Sequence, residues 1–358
     1  MRSLRLTRRV TWPLVACVAV LPAVAPGAPA ISAAAPSLAQ TQSAHARTGG
    51  HAAATGERRS GGYSPALVAV HGPEAWKRST GRGVVVAVID SGVDGDVPNL
   101  KGRVLPGIDM VEPRRPDGWR DLVAVGGHGT GVASVIAGTG RGIPVHGIAP
   151  GVRILPVRIL DARGRCPDAM VARGIVWAVR HGADVVNLSL GTAAADISRR
   201  DLRREHSAVR YAVRHGVTVV AGAGNNGPDN EGPFYPAAFP EVIAVAGTNV
   251  GGTDPAPFSD RGGWVDTAAP AVEVWNANTD GTLGKAFGTS FAAPAVAATA
   301  ALMLSVNPRL SPAAVRRLVM RASADLGLAG TDRETGAGLV DAAAATSAAA
   351  RVAARETP

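Results

Sequence analysis

Short runs rich in valine and isoleucine alternate along this chain with stretches of helical periodicity, and that alternation constrains the fold more than any other feature. The runs Val84–Ile89, Ile154–Ile159, Asp184–Ser189, Thr218–Ala221 and Val242–Ala246 have the length and β-branched content of buried strands. Gly129–Ala137, Asp168–His181, Leu202–His215, Ser290–Val306 and Pro312–Arg321 read as helices. Strands separated by helices build βαβ units, which lay their strands parallel. The expectation is an α/β fold of three layers, a mainly parallel central sheet flanked by helices. The apolar run Ala292 to Val306 falls short of the roughly 20 residues that span a membrane, so it reads as a buried helix.

A chain of 358 residues, 46% hydrophobic, holds one large domain plus a targeting segment. Met1 to Arg9 carry four arginines and no acid, and a mostly apolar stretch to Ala25 precedes small residues. Residues 1–35 therefore read as a secretory signal peptide, and the protein is expected to be secreted. Cys17 follows Leu14-Val15-Ala16, but the apolar run continues past it, which disfavours a lipidated N-terminus. Residues 36–65 have almost no large apolar side chains and read as a low-complexity prosegment or linker. Residues 66–345 form the expected folded domain, and 346–358 an alanine-rich, charged tail. With the leader removed, Cys166 is the one remaining cysteine, so no disulfide framework is expected. The net charge of +9 is carried almost wholly by arginine, with lysine only at 77, 101 and 285. Without an aromatic-interleaved basic motif no nucleic-acid partner is expected, whereas weak association with an anionic cell envelope fits the charge.

Three distant segments each set a reactive side chain among glycines: Val88-Ile89-Asp90-Ser91-Gly92, Gly127-His128-Gly129-Thr130-Gly131 and Gly288-Thr289-Ser290-Phe291-Ala292-Ala293-Pro294. Asp90 ends a strand run, where open α/β sheets hold their ligands. His128 and Ser290 stand at helix starts. A serine hydroxyl is a poor nucleophile near neutral pH. It needs a base for its proton and a carboxylate to orient that base. Taken singly, these residues read equally well as a turn aspartate, a structural histidine and a helix-capping serine. Pro294 stands four residues after Ser290, where its missing N–H is expected to cost little because first-turn donors lack helical partners.

The chain order Asp, His, Ser and the residues around each resemble the subtilisin-like serine proteases, the subtilases. The resemblance covers about Trp76 to Ala345 and implies a subtilisin-like fold and an acyl-enzyme mechanism for a serine endopeptidase acting on proteins or peptides. It assigns Asp90, His128 and Ser290 to the catalytic triad. It assigns Asn225, in Ala221-Gly222-Ala223-Gly224-Asn225, to the oxyanion hole, a donor whose removal typically costs roughly 100- to 1000-fold in turnover. Ser189, Leu190 and Gly191 would pair with an extended substrate. Ala223, Gly224 and Phe234 would wall the primary specificity pocket, with Phe234 making it shallow and apolar. Asp229 and Glu231 read as loop residues. Two positions depart from the family pattern: Gly131 stands where many members carry a second histidine, and Phe291 where methionine is common. The entry Glu74-Ala75-Trp76 to Gly81 is similar to the mycosins of type VII secretion, which implies a soluble mycosin-like member.

No cofactor is required by this chemistry. Many subtilases bind structural calcium, but no carboxylate cluster here has ligand spacing, and Asp94 with Asp96 reads as a turn. A non-catalytic peptide-binding or cell-surface interaction protein on the same fold is the alternative from another class, and an esterase shares the same acyl-transfer chemistry.

Overall fold

The five apolar runs become strands of one seven-stranded sheet. The computed structural model describes residues 62–121, 127–167, 169–227 and 232–356. The expected leader, nearly all of the expected prosegment, and Asp168, Asp229 and Glu231 lie outside the described residues. Short helices α1 (Pro65–Ala69) and α2 (Gly72–Ala75) lead into β1 (Val85–Asp90). There follow β2 (Ile108–Asp109), α3 (His128–Ala137), β3 (Arg153–Arg158), α4 (Met170–Arg180) and β4 (Val185–Leu188). After β5 (Thr192–Ala193) come α5 (Arg199–Arg214), β6 (Thr218–Gly222), β7 (Phe234–Tyr235), β8 (Ile243–Thr248) and β9 (Thr267–Pro270). The hairpin β10 (Val274–Ala277) and β11 (Leu283–Ala286) precedes α6 (Thr289–Val306), α7 (Pro312–Ala322) and α8 (Ala342–Glu356).

The sheet order is β2-β3-β1-β4-β6-β8-β9, every neighbouring pair parallel. β5 with β7 and β10 with β11 form separate antiparallel pairs. Side-chain alternation divides the core. Val86 and Val88 of β1 join the apolar cluster that contains α3 and α6, while Ala87 and Ile89 join the cluster beneath α4 and α5. Both faces of the sheet are thus covered, as the near-continuous apolar strands require. Asp90 shares the parity of Val86 and Val88 and faces the side of α3 and α6.

Helix α6 is long and apolar enough to cross a membrane by composition, yet nearly all of it is buried in the core. α5 begins three residues before the expected Leu202, because Ser198 caps it by accepting from Asp201 N–H at 3.1 Å. Ser64 and Ser311 cap α1 and α7 in the same way, each followed by proline at the first helical position. α8 runs straight through the boundary expected at 345/346, with Ala345 and Ala349 both buried. Cys166 is a buried thiol in the loop before α4.

Candidate active site

Parallel strands and the helices between them bring three chain segments to one end of the sheet. Asp90 is the last residue of β1, His128 the first of α3 and Ser290 the second of α6. Two glycines make the helix entries. Gly127 has φ 73° and Gly288 φ 120°, conformations that L side chains rarely adopt. A Cβ at Gly127 would also stand 2.6 Å from the Thr279 side chain.

His128 Nδ1 lies 2.8 and 3.0 Å from the two carboxylate oxygens of Asp90. Asp90 is fully buried and His128 is 2% exposed. An ionised carboxylate can only accept, so Nδ1 carries the proton and Nε2 keeps its lone pair. Ser91 N–H donates to Asp90 at 2.7 Å and supports the charge. Nε2 is buried and has no hydrogen-bond partner among the described residues. Burial pushes the imidazole pKa down, but the charge and hydrogen bond of Asp90, with the charge of Asp121, outweigh it and leave the pKa raised above 6.5. His128 packs edge-on against Phe291, ring centroids 5.5 Å apart, beside Ser290. At Gly131 the space is tight: a Cβ there would stand 3.0 Å from Asn276 Oδ1 and 3.3 Å from the Phe291 ring.

Ser290 and Ser189 exchange hydrogen bonds. The Ser290 hydroxyl donates to Ser189 C=O at 3.0 Å, and the Ser189 hydroxyl donates to Ser290 C=O at 2.7 Å. The second bond corrects the expectation for Pro294. That residue is the sixth of α6, beyond the first turn, and its absent N–H would have bonded Ser290 C=O. The Ser189 hydroxyl takes its place. The Ser290 N–H makes no hydrogen bond among the described residues.

Asn225 follows β6, and its Oδ1 accepts from Thr289 N–H at 2.8 Å and Thr289 Oγ1 at 3.1 Å. Those bonds fix the amide orientation and leave its NH₂ end as the outward donor. Asp260 holds the next residue, accepting from Asn226 N–H at 2.6 Å and its side-chain NH₂ at 2.8 Å. Leu190 and Gly191 continue from β4, Ala223 and Gly224 from β6. Phe234, in β7, lies between the two loops: a Cβ on Gly191 would meet its Cε1 at 2.3 Å, and one on Gly224 its Cγ at 3.0 Å. Phe234 is 7% exposed. All ten residues singled out in the sequence are therefore gathered around one sheet end.

Two buried carboxylates of the site, Asp121 and Asp260, escaped the sequence reading. Asp121 accepts from Ser91 Oγ at 3.0 Å, Thr130 N–H at 2.9 Å and Thr130 Oγ1 at 2.8 Å, and so ties the residue after Asp90 to the start of α3. Burial, opposed by these bonds and aided by the Asp90 charge, pushes its carboxyl up to about 6. A lone aspartate in a loop carries no periodic or motif signal that could have revealed it. Among the described residues, no group of three or more His, Cys, Asp or Glu side chains is placed to hold a metal ion.

Comparison with known proteins falls on the same elements. Fervidolysin of Fervidobacterium pennivorans is 36% identical over 293 residues, covering 75% of this chain and 41% of that protein. Its crystal structure, described as a keratinolytic enzyme related to subtilisin, superposes with a TM-score of 0.72 at 32% identity, over 82% of this chain and 47% of that one. Subtilisin BL of Lederbergia lenta is 36% identical over 278 residues, 77% of this chain and 96% of that one. The MycP3 protease from the type VII (ESX-3) secretion system superposes with a TM-score of 0.69 at 29% identity, over 79% and 88% of the two chains. The chain thus spans less than half the length of fervidolysin. The model of the subtilase family matches residues 81–338, a stretch that runs from just before β1 to beyond α7 and takes in Asp90, His128, Asn225 and Ser290. By that match and by the shared fold, the chain belongs to the subtilase family.

Proposed function

We propose that this protein is a secreted serine endopeptidase that hydrolyses peptide bonds through Asp90, His128 and Ser290. The observation that carries the reading is the buried Asp90–His128 pair, with the imidazole locked in one tautomer and its Nε2 lone pair unclaimed. In the reaction, the Ser290 hydroxyl leaves the Ser189 carbonyl, gives its proton to His128 Nε2 and attacks the scissile carbonyl carbon. The oxyanion that forms receives the Asn225 side-chain N–H and the free Ser290 N–H at the start of α6. Asp90 accepts from Nδ1–H and stabilises the imidazolium. His128 then protonates the leaving amine, and water repeats the sequence on the acyl-enzyme. These steps draw on side chains and backbone alone.

The side chain on the acyl side of the scissile bond would enter between the 189–191 and 223–225 loops, where the Phe234 ring already sits. The proposed pocket is shallow and apolar, suited to small side chains; a peptide library cleaved mainly after Arg or Lys would overturn this part. Export is proposed from the composition of residues 1–35, and the division at 36–65, 66–345 and 346–358 is likewise proposed from composition, with α8 continuing the fold past the last boundary. Ser290→Ala should lose essentially all covalent turnover, and Asp90→Asn should lower kcat by about four orders of magnitude. Steady-state hydrolysis of a fluorogenic peptide measures both. Near-normal turnover in either variant would point instead to a non-catalytic peptide-binding protein.

A further inference from the structure

Six arginines, Arg173, Arg180, Arg200, Arg203, Arg204 and Arg214, line one open groove of about 1070 Å³ between α4 and α5. Two come from α4 and four from α5, and the packing of the two helices brings them together. Arg204 pairs with Asp201 at 3.2 Å, and Arg173 rests on Met170 Sδ at 3.8 Å. Arg180, Arg200, Arg203 and Arg214 are exposed and have no carboxylate partner among the described residues. The groove's own carboxylate, Asp109, is held by the buried Arg158 at 2.5 Å. So many like charges gathered without compensation repel one another and set up a strong local positive field. Between the guanidinium groups the floor is apolar, made by Ala172, Val176 and Ala208 with the rings of Trp177 and Tyr211.

The groove leads to the candidate site. Helices that follow parallel strands run back along them, so α4 and α5 begin at the sheet end where Asp90 lies. Ala169, just before α4, lines both this groove and a small cavity bordered by Leu190 and Gly191. From Arg200 to Arg214 the wall of α5 extends roughly 21 Å at 1.5 Å per residue, the reach of six or seven residues of extended peptide.

We infer that the α4–α5 groove is an exosite for an acidic polypeptide segment of a protein substrate, a proposal that rests on the peptidase reading of the Ser290 site. Carboxylates alternating with apolar side chains match both the unpaired arginines and the floor between them. A chain of bare phosphates would match the arginines alone.

The test separates the exosite from the chemistry by using the full chain with Ser290→Ala. Binding is read by fluorescence anisotropy of a labelled dodecapeptide of Glu-Leu-Glu triplets, beside its Gln-Leu-Gln counterpart and inorganic polyphosphate. The acidic peptide should bind, weaken as NaCl rises from about 50 to about 200 mM, and exceed the neutral peptide. Arg180→Gln, Arg203→Gln and Arg214→Gln together should weaken it about tenfold, the sum of three modest ion pairs. Arg317→Gln, Arg321→Gln and Arg351→Gln, an equal charge loss on α7 and α8, should change it less than about twofold. Equal loss in both triple variants would reduce the effect to net charge and overturn the exosite. Groove-dependent binding of polyphosphate without the peptide would overturn the polypeptide occupant. In the protein with Ser290 intact, an acidic extension on a peptide substrate should lower KM. The groove variant should erase that gain while leaving kcat/KM on the unextended peptide unchanged. Peptide binding by the Ser290→Ala chain combined with no hydrolysis by the intact one would overturn the peptidase reading and leave the groove standing.

Discussion

At the scale of single residues, the proposed chemistry turns on which atom of His128 holds a proton. Asp90 takes Nδ1–H, so Nε2 acts as a base only while the ring is neutral. The raised pKa of His128 sets the pH at which that happens. Below it the ring is charged and idle; above it Nε2 is free. The acid limb of kcat/KM should therefore have its midpoint above 6.5, and Asp90→Asn should move it to lower pH as well as depress it. A pH profile of residual activity measures both, and an unmoved midpoint in Asp90→Asn would contradict the assigned partnership. Asp90, His128, Ser290 and Asn225 were singled out together through the subtilase resemblance of the segments around them, not by any one residue alone. Asp121 and the Ser189 hydroxyl act through partners 9 and 101 positions away, and nothing near them in the chain announces it.

Among elements, α6 shows how a sequence irregularity is absorbed by a neighbour. Pro294 removes the donor to Ser290 C=O, and the loop after β4 supplies the Ser189 hydroxyl instead. Ser189→Ala should leave that buried acceptor unpaired and cost about 1 to 3 kcal/mol of stability. In a Pro294→Ala background the restored N–H can bond the same carbonyl, so Ser189→Ala should cost markedly less there. Denaturant unfolding of the four proteins gives the coupling, and an equal cost in both backgrounds would refute the substitution of one donor for the other. The β1, β3, β4, β6 and β8 strands and the five helices from α3 to α7 were legible because burial on both faces leaves unbroken apolar runs and regular helical spacing. β9, Thr-Ala-Ala-Pro, was not: it has little β-branched content, and its strand conformation comes from pairing with β8 on one side and bridging to Leu339 on the other. β2 and the β5–β7 bridge are two residues long, too short for any period to register.

For the molecule as a whole, stacking α4 and α5 on the sheet also buries a charge. Glu205 of α5 is 9% exposed, and burial, with the Asp201 charge adding to it, pushes its carboxyl up to about 7. The folded state then holds a proton that the unfolded chain releases near the ordinary value of 4.5, so this residue makes stability fall as pH rises from 4.5 to about 7. The loss is on the order of 3 kcal/mol. Glu205→Gln should raise Tm at pH 8 and change it little at pH 4, and calorimetry at the two pH values decides it; an equal effect at both would remove the charge as the cause. The same whole-molecule view separates what the chain's composition could say from what its fold adds. A basic composition was plain in the sequence, whereas the convergence of Arg180, Arg203 and Arg214 on one groove depends on two helices packing side by side. Labelling the protein with a fluorophosphonate probe, beside Ser290→Ala, tests the nucleophilic role proposed for Ser290. One modified peptide is expected, bearing the label on Ser290 and absent from the variant. A folded protein, with the proposed leader and prosegment removed, that takes up no label, or takes it up equally without Ser290, would contradict that role.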